Sequence, residues 1–277
     1  MKKPRRPFGL LDALTFTVAL CLCLSLTGCG GGATGEGAAN PPLVVGMDLS
    51  YPPFEMTDAS GAPAGVSYEM ARALADFLER ELVVQNMPFA GLIPALRTGR
   101  VDVVISSLTR TDERAESIAF SEPYFRVGLA LLAARGSGVT TAADLNAPDR
   151  TVAVRVGTSG ALWADENLPR ANRLTFQRES EALQEVVQGR ADAFIYDQIS
   201  VARQAQQYPE RTRALLTPLR TEFWAIGLPL EAEALRADVN AFLAAYRAEG
   251  GFARLADRFL SEEKAAFEAQ GVPFAFE

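Results

Sequence analysis

Histidine is absent from all 277 residues. That excludes an imidazole general base, a histidine-bearing catalytic triad and a histidine-ligated metal. Cysteine is nearly absent: the 3 present, Cys21, Cys23 and Cys29, lie together near the amino terminus, so the chain beyond them has neither a disulfide nor a thiolate metal site. No covalent staple holds the core, which must rest on packing. Basic charge is also in deficit, with 27 Lys and Arg against 34 Asp and Glu and a formal net of −7, which argues against nucleic acid as a partner. What remains is globular in composition, at 48% hydrophobic, 22% charged and 9% aromatic residues. The length suits one large domain or two lobes of roughly 100 residues each.

The amino terminus has the form of an export signal. Lys2, Lys3, Arg5 and Arg6 make a basic head, and the run from Ala13 to Leu26 is apolar but shorter than the roughly 20 residues of a membrane span. Leu26-Thr27-Gly28-Cys29 then looks like a bacterial lipobox, in which small residues before a cysteine allow cleavage and leave a diacylated Cys29 at the mature terminus. Residues 1–28 are thus a lipoprotein signal peptide and residues 29–42, rich in Gly and Ala, a flexible tether. Loss of four bases and Asp12 with the signal leaves 23 basic and 33 acidic residues.

From Leu43 onward apolar runs alternate with helical patterns. Leu43 to Met47 reads as a strand, Tyr68 to Arg80 as a helix with Met70, Ala73, Leu74, Phe77 and Leu78 on one face, Leu82 to Gln85 as a strand, Gly91 to Thr98 as a short helix and Val101 to Ile105 as a strand. The pattern repeats as a strand at Thr151 to Arg155, helices at Gly160 to Glu166 and Ser180 to Gln188, and a strand at Ala193 to Tyr196. Strands separated by helices at this spacing imply parallel βαβ units. A local echo accompanies the repeat, Gly99-Arg100-Val101-Asp102 before one strand and Gly189-Arg190-Ala191-Asp192 before another. Two apolar runs, Val127 to Ala134 and Phe223 to Leu228, read as crossovers, followed by helices at Leu230 to Ala248 and Phe252 to Leu260. The expected fold is α/β, two Rossmann-like lobes joined by a two-strand hinge, with residues 43–130 and 223–277 in lobe 1 and 131–222 in lobe 2.

In open α/β sheets ligands bind beyond the carboxyl ends of the strands, where helix amino termini present free N–H groups. The residues there are Asp48 and Tyr51 after the first strand, Ser106, Ser107 and Thr109 after the Val101 strand, Gly157, Thr158 and Ser159 after the Thr151 strand, and Asp197 after the Ala193 strand. Singly, each is an ordinary helix cap. Their coincidence at four strand ends points to a polar cleft.

Tyr51-Pro52-Pro53-Phe54-Glu55, Ser106-Ser107-Leu108-Thr109-Arg110-Thr111-Asp112-Glu113-Arg114 and Ile118-Ala119-Phe120-Ser121-Glu122-Pro123-Tyr124 resemble the family 3 extracellular solute-binding proteins. The likeness continues through Arg155-Val156-Gly157-Thr158-Ser159 and Asp192 to Asp197, and so spans most of residues 43–260. It implies a periplasmic-binding-protein fold of type 2 and a receptor that delivers a polar amino acid to an ABC-type permease, without a cofactor and as a monomer. It implies Arg114 as a bidentate clamp for the ligand carboxylate, helped by hydroxyl or backbone N–H donors at Thr109 and Thr158, and Asp197 as the partner of the ammonium, helped by Ser107. Burying either ligand charge unpaired would cost several kcal/mol.

For the ligand side chain the resemblance implies Tyr51 and Phe89 as flanking rings and Asp48 as an acceptor, favouring a donor-bearing ligand such as glutamine, arginine or histidine. Arg155 matches a basic position of glutamine-type receptors; it either meets a ligand carboxylate or pairs with Asp48 across the closing cleft. Serine at 67, where receptors for lysine and arginine often carry aspartate, shifts the choice toward a neutral amide. The alternative is a cyclohexadienyl dehydratase-like enzyme on the same fold, which needs a carboxylic acid poised near neutrality. With no histidine to titrate, affinity for a neutral amino acid is expected to be nearly flat between about pH 6 and 8. The protein is placed outside the cytoplasm, anchored by lipid at the periplasmic face in a diderm or at the cell surface in a monoderm. Metabolic labelling with a fatty acid is expected to mark the wild type and not Cys29→Ser; an unlabelled wild type refutes the lipobox.

Overall fold

The computed structural model describes residues 40–269 together with 275 and 276, within one compact unit. The signal segment, Cys29 and the tether up to residue 39 lie outside them. The chain opens with β1 (Leu43–Met47), the short pair β2 (Met56–Thr57) and β3 (Pro63–Ala64), α1 (Val66–Phe77), β4 (Leu82–Asn86), α2 (Leu92–Arg97), β5 (Val103–Val104), α3 (Asp112–Ala115) and β6 (Ala119–Ala134). Next come β7 (Thr151–Arg155), α4 (Ser159–Asn167), β8 (Asn172–Phe176), α5 (Glu179–Val187), β9 (Ala193–Asp197), α6 (Gln198–Gln207) and β10 (Thr212–Leu228). The chain then adds α7 (Glu233–Ala248), α8 (Gly251–Phe259), α9 (Ser261–Ala269) and β11 (Ala275–Phe276).

One sheet runs through both halves in the order β4-β1-β5-β10-β6-β9-β7-β8, with β11 beside β6. The outer groups are parallel, β1 with β4 and β5, and β7 with β8 and β9. Leu43, Val45 and Met47 of β1 and Val152, Ala153 and Val154 of β7 are buried, as expected for strands covered on both faces. The two crossover strands at the centre, β6 and β10, pair antiparallel from Thr212 opposite Ala134 to Leu228 opposite Ala119. They are longer than the apolar runs that announced them, since the ladder between them continues through polar residues such as Glu222 and Arg220. Register breaks at Leu215/Arg220 and around Ala225 bend the pair between the halves.

The echoed sequences do the same work in both halves. Gly99 and Gly189 take left-handed φ values of 68° and 71°, the conformation in which glycine ends a helix without steric cost. Three residues on, Asp102 accepts from the Val44 N–H at 3.0 Å and from Arg80 at 2.7 Å. Asp192 likewise accepts from the Thr151 N–H at 2.8 Å and from Arg150 at 2.9 Å. Each aspartate therefore pins the start of its own first strand.

Two expectations are corrected. The buried stripe of α1 is Val66, Met70, Ala71, Leu74 and Ala75, while Phe77 is 47% exposed; the helix begins before Tyr68 and rolls Phe77 outward against the ring of Phe242. The strand read at Val101 to Ile105 is regular only at Val103–Val104. An edge strand went unread because the Asn172, Arg173 and Thr175 side chains of β8 face solvent. Asp102→Ala and Asp192→Ala are each expected to cost about 1–2 kcal/mol in urea denaturation, the value of a part-exposed charged hydrogen bond.

Candidate functional site

The strand ends converge on a partly enclosed cavity between the two halves of the sheet. Asp48, Tyr51, Phe89, Ser106, Ser107, Thr109, Arg114, Arg155, Thr158 and Asp197, all expected from the sequence, line it. Gly157 stands behind this lining and offers its carbonyl to Arg114. Its φ of 74° is a glycine conformation, and a side chain there would press on Ala90 at 3.3 Å. Gly160 is constrained more tightly, because a Cβ would come within 2.7 Å of the Ile195 carbonyl. Glycine thus lets α4 pack on β9 and aim its amino terminus at the cavity. Thr158 caps that helix, and Ser159 and Gly160 supply first-turn N–H groups, which α-helical geometry leaves without an intrahelical partner.

Arg114 lies at this end of the cavity, carried by the single turn of α3 and almost fully buried. Its Nη1 donates to the Thr109 carbonyl at 2.5 Å and its Nη2 to Gly157 at 2.8 Å, which joins the two halves. Burial lowers its pKa to about 10 while the nearby Glu222 and Glu113 carboxylates oppose the shift. The guanidinium remains a cation at neutral pH. The Thr109 hydroxyl is already committed to Glu222 at 3.1 Å and the Thr158 hydroxyl to the Arg155 carbonyl at 2.8 Å. The Thr158 N–H also donates to the Arg155 carbonyl, at 3.3 Å, so any help from this pair to a bound anion falls to the backbone N–H of Thr109.

Arg155 and Asp48 form an ion pair across the cavity, both buried. Asp48 also accepts from the Phe89 N–H at 2.7 Å and the Ser50 hydroxyl at 2.6 Å. Arg155 donates in addition to the Gln177 carbonyl and the Tyr196 hydroxyl, each at 3.1 Å. Burial works against its charge, but Tyr196 and Asp48 outweigh it and raise the pKa. Of the two roles open to Arg155, the structure shows the pairing with Asp48. The Phe89 ring sits between the two arginines, 5.7 Å from the Arg114 guanidinium carbon and 5.4 Å from that of Arg155.

Asp197, in the same cavity lining, ends β9 and caps α6, accepting from the Ser200 N–H at 2.9 Å. The cap and the cavity wall are the same carboxylate. Burial raises its pKa to about 6, against the lowering effect of the Ser200 N–H and Tyr51. Tyr51 stacks on Phe54 at 5.4 Å and meets Tyr196 and Trp224 edge-on. Its hydroxyl faces Asp197 and, among the described residues, has no partner at ordinary hydrogen-bond distance.

Sequence reasoning missed Glu55, Glu222, Tyr196 and Trp224 as cavity residues. Glu222 accepts from Thr109 of one half and, at 2.7 Å, from Ser159 of the other, while Arg220 pairs with its second oxygen at 2.9 Å. An acid placed directly before the apolar run at 223 was the available signal. Glu55 closes the Tyr51–Glu55 motif, is 1% exposed, and accepts hydrogen bonds from the hydroxyls of Ser67 and Ser107. Burial lifts its pKa to about 8, although both hydroxyls lower it. Burial therefore moves Glu55 and Asp197 up to the two edges of the pH 6–8 window that the lack of histidine left empty.

The family model for bacterial extracellular solute-binding proteins, family 3, matches residues 43–262. The chain belongs to this family. Among its relatives is the arginine-binding extracellular protein ArtP of Bacillus subtilis, 32% identical over 188 residues, 67% of this chain and 72% of that one. The solved structure of AncCDT-1, an ancestral amino acid-binding protein and precursor of cyclohexadienyl dehydratase, covers 79% of the chain with 95% of its own length, at 33% identity and a TM-score of 0.72. An ancestral arginine-binding protein bound to glutamine superposes at a TM-score of 0.73, with 28% identity and 79% and 97% coverage. Among the described residues no helix is long and apolar enough to cross a membrane.

The raised pKa of Glu55 has a consequence for stability in this family 3 protein. A carboxyl that holds its proton when folded up to about pH 8, against an ordinary 4.5, contributes most below pH 4.5 and progressively less as pH rises through 8. The slope is at most about 1.4 kcal/mol per pH unit. Glu55→Gln is expected to flatten this decline, narrowing the stability difference between pH 5 and pH 8 in urea titrations; an unchanged difference would refute the assignment.

Proposed function

We propose that the chain is a receptor for a free polar α-amino acid, with an uncharged hydrogen-bonding side chain such as that of glutamine as the first ligand. The observation that carries this reading is the charge arrangement of the cavity. Arg114 and the α4 amino terminus offer positive charge and Asp197 a carboxyl in one lining, suited to a carboxylate and an ammonium, while Arg155 is matched by Asp48 and Glu222 by Arg220. A zwitterion with a neutral side chain completes this pairing without leaving a buried charge unmatched. Tyr51 and Phe89 flank the stem. A fold relative that is an arginine-binding protein and yet holds glutamine supports the choice.

In this reading residues 43–130 and 223–277 move against residues 131–222 by bending of β6 and β10, and the closed form presents both lobes to an ABC-type permease. Cys29 tethers the receptor, as a monomer, to the outer face of the membrane. A second reading, a dehydratase acting on a cyclohexadienyl acid, draws on Glu55, a carboxyl kept neutral beside the cavity; incubation with prephenate is expected to yield no product, and turnover would reverse the order of the two.

Calorimetry with L-glutamine tests the receptor reading. Arg114→Met and Asp197→Asn are each expected to lose about 2–5 kcal/mol of affinity, as when one partner of a buried hydrogen-bonded charge pair is removed. Losses below tenfold at both positions in folded variants would overturn the clamp. The ammonium needs Asp197 ionised, so wild-type Kd should weaken toward tenfold per unit as pH falls below about 6, the pKa of the free site. Asp197→Asn should abolish that dependence.

A further inference from the structure

Four carboxyl groups line the cavity, those of Asp48, Glu55, Asp197 and Glu222. Asp48 is matched by Arg155 and Glu222 by Arg220, and Asp197 faces the ammonium in the receptor reading. Glu55 is left over. Among the described residues it makes no ion pair, and the partners of its Oε1 are two neutral hydroxyls, Ser67 of α1 and Ser107 beyond β5. We propose that Glu55 is a proton-exchange site that lets one cavity accept two classes of amino acid: an amide side chain binds with the Glu55 proton in place, and a cationic side chain binds by expelling that proton to solvent. The inference rests on the reading of the cavity as an amino-acid site.

The geometry supports both protonation states. A hydroxyl donates to a carboxylate and can turn to accept from a carboxylic acid, so Ser67 and Ser107 serve Glu55 in either form. The charged or titratable groups facing it are Asp48 at the end of β1, Arg155 at the end of β7 and Tyr124 of β6. Burial is the main force against ionisation of Glu55; Asp48 adds to it, and the two hydroxyls and Arg155, already bound to Asp48, offset it in part. These surroundings favour the neutral acid, with the pKa raised to about 8. A guanidinium or ammonium in the cavity supplies the missing countercharge and makes the carboxylate the favoured form. The charge balance is conserved: one cation enters, one proton leaves, and the cavity carries the same net charge as with a bound amide ligand.

The test is titration calorimetry of the wild type at pH 7 in phosphate and in Tris, whose ionisation enthalpies differ, with L-glutamine and L-arginine as probes. L-arginine is expected to release close to one proton more than L-glutamine does. Its Kd should tighten toward tenfold per pH unit between pH 6.5 and 7.5, the limit for one linked proton below its pKa. Glu55→Gln should abolish the additional proton release and weaken L-arginine by tenfold or more. Arginine binding without extra proton release in the wild type would overturn the proposal whether or not the variant folds, as would release that persists in a folded Glu55→Gln protein. Glutamine binding with no arginine binding would overturn this inference alone. Binding of neither would overturn it together with the receptor reading.

Discussion

The pairing of Arg155 with Asp48 sets the character of the cavity. Both side chains are buried, and each comes from the end of a first strand, β7 in one half of the sheet and β1 in the other. A buried ion pair adds little net stability, because desolvation consumes most of the attraction, but loss of one partner costs about 3–5 kcal/mol. The pair is therefore better understood as a device for placing charge. It neutralises a guanidinium that would otherwise compete with Arg114 for an anion, and it holds Phe89 through the Asp48 bond to its N–H. What remains in the cavity is the Arg114 cation and the carboxyls of Asp197 and Glu55.

The same arrangement ties ligand chemistry to the shape of the protein. Arg114 reaches across to Gly157, Glu222 gathers hydroxyls from Thr109 and Ser159, and Arg203 of α6 donates to the Pro52 carbonyl. Each of these contacts joins residues from the two halves. They cluster beside the crossover strands β6 and β10, whose register breaks supply the bend. Burial of the cavity also excludes water, which strengthens every charge interaction inside it and raises the pKa of the acids left without an ion-pair partner. Glu55 and Asp197 show that effect.

Much of the architecture was legible from local pattern. β1 and β7 stand at the residues where continuous apolar runs placed them, because strands buried on both faces admit few polar side chains. The expected site residues fell at strand ends for an equally local reason: within each half the parallel strands end on one side. β8 was invisible because an edge strand exposes much of its surface, and the α1 stripe was misread because its face is set by α7 and the sheet rather than by its own periodicity.

The sequence by itself determined the absence of imidazole and thiolate chemistry, the α/β alternation, the duplicated Gly–Arg–x–Asp device and the identity of most polar groups around the cavity. These depend on which residues are present and on their spacing along the chain. Only the tertiary structure decided which charge meets which. Asp48 and Arg155 are separated by 107 positions and Thr109 and Glu222 by 113, so no local signal joins them. Ion pairing and burial depend on distance in space and on exclusion of water, and both arise only when the two halves pack.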